Sequence, residues 1–150
     1  MTTVVAAIVE RDGRVLICRR APGDRHPGKW EFPGGKAEPR EALRTALARE
    51  LREELDIAAE IGDEVERYEY AYPGRDPIRL VFFRVREFTG EPRNLVFGEI
   101  RWERLERLPE FDFLEGDVAF VQRLAGIRKS TPRSRLSRVE SSTSTRSSDN

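Results

Sequence analysis

The order of elements in the sequence predicts an α/β layered fold built on a mixed β-sheet. Three observations carry this. An Asp12-Gly13 turn joins two apolar runs near the start, residues 39–57 make an uninterrupted helix-forming stretch, and strand-like segments then lead to a short final helix. Strands on both sides of one long helix, closed by a second helix, suit a sheet covered by helices.

Residues 4–9 (VVAAIV) and 15–18 (VLIC) flank Arg11-Asp12-Gly13-Arg14. Asp-Gly between apolar runs is a strong hairpin signal, because both turn residues must adopt positive φ. Residues 21–35, APGDRHPGKWEFPGG, contain three Pro and four Gly, which predicts a loop with a short strand at 30–32. Over 39–57 the only Pro stands first and the remainder is mostly Ala, Leu, Arg and Glu. Pro suits a first helical turn and the others are strong helix formers. Residues 64–72 (EVERYEYAY) and 78–85 (IRLVFFRV) read as paired strands across Pro73-Gly74-Arg75-Asp76-Pro77. Residues 99–105 (EIRWERL) read as a further strand, and 118–124 as the closing helix.

From Arg128 the character changes. Residues 128–150 hold eight Ser and only two aliphatic side chains, Leu136 and Val139. Such a segment cannot bury enough surface to offset its ordering entropy, so one domain is expected over 1–127 and a disordered Ser/Arg-rich tail over 128–150.

Charged residues make up 36% of the chain, with 27 basic side chains against 27 acidic. The tail carries five Arg and one Lys against Glu140 and Asp149, a net +4, so residues 1–127 carry about −4. That balance argues against a body that grips a DNA or RNA duplex. Polyphosphate binding by such a body calls for a divalent cation. Cys18 is the single cysteine, which excludes an internal disulfide and a Cys-built zinc site and fits a reducing cytoplasm. The apolar run 4–9 is too short for a secretory signal, and no run approaches the roughly 18 apolar residues of a membrane span. The expectation is a cytoplasmic, membrane-free monomer or homodimer.

On a helix turning 100° per residue, Glu50, Glu53 and Glu54 share a sector about 100° wide. Leu47, Leu51 and Leu55 form the neighbouring stripe, suited to packing on a sheet. Acids this close repel by a few tenths of a kcal/mol per pair, and hard cations such as Mg²⁺ take oxygen ligands of this kind. On composition alone, a solvated face explains the acids as well as a metal cradle does.

The spacing adds more. From Gly35, five residues precede Glu41, seven precede Arg49-Glu50-Leu51, one precedes Glu53-Glu54, and Ile57 closes the pattern. This resembles the Nudix box, Gly-x5-Glu-x7-Arg-Glu-U-x-Glu-Glu-x-Gly-U, where U is a bulky aliphatic residue. Every specified position matches except the last Gly, which here is Asp56, a residue type that tolerates left-handed backbone. The order of elements over about residues 3–125 is similar to the family's.

The resemblance implies a Nudix-type α/β/α sandwich that hydrolyses a nucleoside diphosphate linked to another group, using Mg²⁺ or Mn²⁺. It implies metal binding by Glu50, Glu53, Glu54 and the Gly34 carbonyl, and catalytic roles for Glu50, Glu53 and Arg49. Either Glu50 or Glu53 is the base, while Glu41 and Arg49 orient the ligands. The family's usual fourth carboxylate falls near Val96, where Glu99 is the nearest acid.

WEFPGGKAE (residues 30–38) resembles the MutT-like enzymes, which split nucleoside triphosphates into monophosphate and pyrophosphate. VVAAIVERDGRVLICRR and ALARELREELDI are similar to the members that act on CTP or on oxidised nucleotides. In such an enzyme water attacks the β-phosphorus of a CTP/dCTP-like or oxidised dGTP-like substrate. Arg20, Arg25, Glu31, Phe32 and Pro33 line the pocket, with Phe32 packed on the base and Arg75 a further substrate-side cation. Arginine suits this role because its fork stays charged and binds two oxygens at once. The base reader precedes the C-terminal helix, which places Glu115 there and Asp117 two residues on. Glu115 is equally explained as a helix-start acid.

His26 is given no catalytic role, Cys18 is read as a buried strand residue, and Trp102, Phe82 and Phe83 as core. Two other readings stay open. One is hydrolysis of another diphosphate, such as ADP-ribose or a dinucleoside polyphosphate. The other is a catalytically silent Nudix-fold binding module, which would be expected to lack glutamates of the box.

Overall fold

Five successive residues of the first strand, Val5 to Val9, are buried, and this decides how the sheet is covered. The computed structural model describes residues 1–130. Strands β1 (Thr2–Arg11) and β2 (Arg14–Arg19) form the expected hairpin, with Asp12 and Gly13 at φ 53° and 74°. Both signs are positive, as a two-residue type I′ turn requires. The two strands pair only at Glu10↔Val15 and Arg11↔Arg14 and then part. The segment after β2 fills the gap: β3 (Trp30–Glu31) pairs with β2, and β4 (Gly34–Lys36) pairs with β1.

On the other edge of β1 lies β7 (Ile78–Val85), parallel from Thr2↔Ile78 to Val9↔Val85. Strand β6 (Glu64–Tyr70) is antiparallel to β7, and β9 (Glu99–Arg104) is antiparallel to β2. Among the described residues this makes a seven-stranded mixed sheet. A separate ribbon joins β5 (Ala58–Glu60) and β8 (Glu87–Thr89), neither expected from the sequence.

Helix α1 (Leu43–Leu55) covers one face and α2 (Glu115–Ser130) the other. Val5, Ala7, Val9, Val81, Phe83 and Val85 pack with Ala46, Leu47, Leu51 and Leu55 of α1. Ala6, Ile8, Ile17, Leu80 and Phe82 pack with Phe120, Val121 and Leu124 of α2. Successive residues of β1 thus serve opposite cores, which is the two-residue period of a strand buried on both faces. Phe82 stacks on Phe120 at 3.9 Å between ring centroids. Complete burial of side chains this size contributes roughly 1.5–3 kcal/mol each. The α/β/α sandwich with a mixed sheet is therefore present.

Boundaries differ from expectation at both helices. Helix α1 begins at Leu43, not Pro39. Glu41 turns back instead: its N–H donates to the Glu38 carbonyl at 3.0 Å, and its carboxylate accepts from the Glu38 N–H at 2.8 Å. That tight turn is made with Arg40 at φ 68°. The helix ends with Asp56 left-handed at φ 57°, donating to the Arg52 carbonyl, the position where the motif's glycine is replaced. Helix α2 starts at Glu115 rather than residue 118, because acids suit a first turn even around Gly116. Its backbone passes the expected domain limit and reaches Ser130; the rest of the tail expected to be disordered, residues 131–150, lies outside the described residues. A 3-10 helix, Leu105–Glu110, follows β9. Among the described residues no helix is long and apolar enough to cross a membrane.

Candidate active site

The gap between β1 and β2 brings Gly34 and Gly35 against α1. Gly34 has φ 153°, and a Cβ there would lie 1.9 Å from the Val5 carbonyl oxygen, so only glycine fits. Its N–H donates to Oε1 of Glu54 at 3.2 Å. At Gly35 a Cβ would fall 2.6–2.7 Å from the carboxyl atoms of Glu50. The two glycines therefore strip one strand of side chains where two glutamates of the helix approach it.

Glu54 is the group most perturbed by this crowding. Burial first, then the charges of Glu50 and Glu31 and a hydrogen bond shared with Glu50, push its carboxyl up to about 9. The Gly34 N–H opposes the shift without cancelling it. Arg49 attends the other acids. Its Nε and Nη2 grip both oxygens of Glu41 at 2.8 and 2.9 Å, while Nη1 donates to Glu50 at 3.1 Å and Glu53 at 3.4 Å. Nη2 also donates to the Lys36 carbonyl. The Arg49 hydrogen bonds and then the Glu38 N–H hold Glu41 down at about 2. The acidic face is thus partly neutralised by a cation of its own, which the helical spacing alone did not reveal. Glu54 is the acid left without one.

This chemistry fits a divalent cation. Glu50 and Glu54 form a crowded carboxyl pair whose repulsion a bound cation would relieve, and a strand bare of side chains at Gly34 and Gly35 lies against both. Glu53 is 58% exposed and turned toward Arg49. Among the described residues no three acidic, His or Cys side chains already form a closed ion cage. A hard cation that takes one or two carboxylates and completes its sphere with water and phosphate oxygens needs no such cage.

The acids open into a cavity of about 1410 Å³ that runs to the start of α2. Between the box acids and that end, near enough to act on both Glu54 and Asp117, Glu31 accepts from Nη1 of Arg20, at 3.1 Å to each oxygen. Burial nevertheless pushes Glu31 up to about 7, against the pull of Arg20. Arg20 Nε also donates to the Arg25 carbonyl at 2.5 Å. Across from Glu31 stands Asp117, only 6% exposed and raised to about 8 by burial and by Glu31. No hydrogen bond reaches its carboxyl from another described residue. It is a buried polar group aimed into the cavity with nothing to satisfy it, a costly arrangement unless a ligand supplies the partner.

A scan against protein-family models matches the NUDIX domain over residues 1–124. The chain belongs to the Nudix family. It is 36% identical over 132 residues to the CTP pyrophosphohydrolase of Escherichia coli (strain K12), covering 88% of this chain and 97% of that protein. Identity to the 8-oxo-dGTP diphosphatase of the same strain is 33% over 120 residues, covering 80% and 92%. Among solved structures, the E. coli ORF135 protein aligns with a TM-score of 0.77 at 36% identity, over 89% of this chain and 94% of that one. A MutT protein from Methanosarcina mazei Go1 aligns with a TM-score of 0.76 at 25% identity, over 86% and 96%. The chain is accordingly a Nudix hydrolase of the MutT-like group, with all four box glutamates present.

The residues expected at the site fall into three groups. Gly34, Glu50, Glu53, Glu54, Arg20, Glu31, Arg25 and Arg75 all line the cavity, the last two exposed at its rim, while Arg49 contacts three of its acids from the side. Phe32 lines the cavity but is only 3% exposed, its ring 5.3–6.1 Å from those of Phe113, Phe120 and Phe82. It is core that forms a floor, with little face free to stack. Pro33 is buried and its carbonyl accepts from the Ala7 N–H; it does not line the cavity. Glu115 is exposed and accepts a hydrogen bond from the Tyr70 hydroxyl outside the cavity. Glu99 pairs with Arg19 and Arg101 on the sheet surface, while Val96 lines the cavity in its stead. Asp117 and the ring pair His26–Tyr72, centroids 5.1 Å apart on the cavity wall, were given no site role by the sequence.

Proposed function

We propose that this Nudix hydrolase cleaves nucleoside triphosphates into monophosphate and pyrophosphate with Mg²⁺, and that cytosine nucleotides are its preferred substrates. The reading rests on one observation above others: Asp117 is a buried, unpartnered carboxyl at the end of the cavity away from the box acids. Raised to about 8, it is protonated at neutral pH and presents one O–H donor beside one acceptor. Cytosine offers the complement, a ring-nitrogen acceptor beside its N4 amino donor. The 36% identity to an E. coli CTP pyrophosphohydrolase supports the same choice.

Glu50 and Glu54 would hold the cation beside the Gly34 carbonyl, with Glu53 completing the set after turning from Arg49. The bound cation supplies charge that offsets the phosphates and lowers the pKa of a nearby water. Arg49 fixes Glu41 and Glu50 in place, and either Glu50 or Glu53 accepts the proton of the attacking water. Arg20 holds Glu31 between the box acids and Asp117. Oxidised guanine nucleotides are the second reading, favoured by Glu31: at about 7 a share of it is ionised and can accept from the N–H groups of a purine edge.

The test is a substrate panel of CTP, dCTP, 8-oxo-dGTP, methylated dCTP and ADP-ribose with Mg²⁺. Monophosphate plus pyrophosphate, fastest from the cytosine nucleotides, is the expected outcome. AMP plus ribose phosphate as the main product pair would overturn the reading, and no turnover of any substrate would favour a silent binding module.

A further inference from the structure

Most cationic side chains among the described residues are engaged. Arg11, Arg19, Arg20, Arg49, Arg67, Arg84, Arg93 and Arg123, for example, each pair with an acid. Among the described residues, Arg25, Lys36, Arg40 and Arg75 make no side-chain hydrogen bond, ion pair or ring contact, and all four line the cavity. Arg14 and Arg104, which also make none, face one another across β2 and β9. Free positive charge is therefore gathered where a polyphosphate would lie.

The four divide by position. Arg25 and Arg75 adjoin the base end, the first through its carbonyl bond to Arg20, the second just after Tyr72, whose hydroxyl accepts from the Gly116 N–H at 3.0 Å. Lys36 and Arg40 stand at the metal end. The Lys36 carbonyl is held by Arg49, and Arg40 directly precedes Glu41, which Arg49 grips.

Arg40 is singled out by its backbone. Its φ of 68° is left-handed, where any residue with a Cβ is disfavoured and glycine is not. The Glu38–Glu41 turn needs that conformation, but glycine would supply it without strain. What the arginine adds is a guanidinium at the cavity edge beside the box acids, and strain retained in this way points to function. We propose that Arg40 is a specificity-determining residue that binds the terminal phosphate of the substrate, so that triphosphates are selected over diphosphates. The inference rests on the triphosphate reading above and adds the residue that enforces it. Arginine's bidentate fork suits a terminal phosphoryl group with its three free oxygens.

The test compares wild type with Arg40→Gly, Arg40→Asn and Arg40→Lys on dCTP and dCDP with Mg²⁺. Both neutral variants accept the left-handed turn, so thermal melting should not fall. The expected result is a KM for dCTP raised about tenfold in Arg40→Gly and Arg40→Asn, with dCDP unchanged within about twofold and partial recovery in Arg40→Lys. Wild-type KM for dCTP in the neutral variants would overturn the inference while leaving the proposed function intact. If wild type turned over neither nucleotide, the proposed function would fall, and binding of magnesium pyrophosphate by calorimetry would judge Arg40 alone. Weakened binding in Arg40→Gly then supports it and equal binding overturns it.

Discussion

Glu54→Gln separates what this carboxyl does for stability from what it does for activity. In the metal-free protein its carboxyl is raised from 4.5 to about 9, so between those values the folded state holds a proton that the unfolded state has released. Stability must then fall as pH rises through that window, by at most ~1.4 kcal/mol per unit. At pH 8 this sets a ceiling of about 5 kcal/mol, of which water entering the open cavity leaves about 1–3 kcal/mol. Glutamine keeps the shape, its amide oxygen still accepts from the Gly34 N–H, and it carries no proton to lose. Without metal at pH 8, Glu54→Gln should therefore be more stable than wild type, with the difference vanishing near pH 5. Added Mg²⁺ should raise the melting temperature of wild type and leave the variant nearly unmoved. Turnover should drop by about 10²-fold or more, since one ligand of the cation is gone. Urea melts with chelator and with Mg²⁺, run beside a pyrophosphate-release assay, read all of these quantities. A variant less stable than wild type at pH 8 without metal, or one with turnover within a few-fold of wild type, would refute the reasoning.

Three further outcomes follow from the same geometry. Gly34→Ala would place a Cβ 1.9 Å from the Val5 carbonyl oxygen and should cost more than about 4 kcal/mol in urea denaturation, or abolish soluble expression. Asp117→Asn keeps a donor beside an acceptor and should retain most of the kcat/KM for dCTP, whereas Asp117→Ala should lose about 10- to 100-fold, largely in KM; because Asp117 sits at about 8, wild-type kcat/KM for dCTP should decline above that pH and that of Asp117→Asn should not. Phe82→Ala removes a fully buried ring stacked 3.9 Å from Phe120 and should destabilise by about 3–5 kcal/mol in the same melts, with kcat affected far less.

The parts legible in the sequence were those coded locally. Asp12-Gly13 fixes its own turn, and the apolar stripe of Leu47, Leu51 and Leu55 fixes which face of α1 packs. The glutamates then follow from helical geometry, with the box spacing naming the family. The parts missed depend on contacts distant in sequence. Glu115 and Asp117 are two residues apart, and which of them enters the cavity is decided by Tyr72 and Tyr68, whose hydroxyls hold the backbone of Gly116 from 44 and 48 residues away. Phe32 was expected to pack on a base, but three rings from β7, α2 and the segment before it enclose its faces. Glu99 lay close in sequence to the expected carboxylate, yet its place at the start of β9 turns it toward Arg19 and Arg101. Compensation of the acidic stripe by Arg49 was hidden because Arg49 reaches Glu41 across the turn that shortens the helix. In each case the sequence carried the residue and the tertiary contact chose its direction.

The central claim is tested most directly by hydrolysing CTP with Mg²⁺ in ¹⁸O-labelled water and locating the label by mass spectrometry. Water attacking the β-phosphorus predicts one labelled oxygen in pyrophosphate and none in CMP. Label in CMP would contradict the point of attack, and CDP with labelled orthophosphate would contradict the reaction itself.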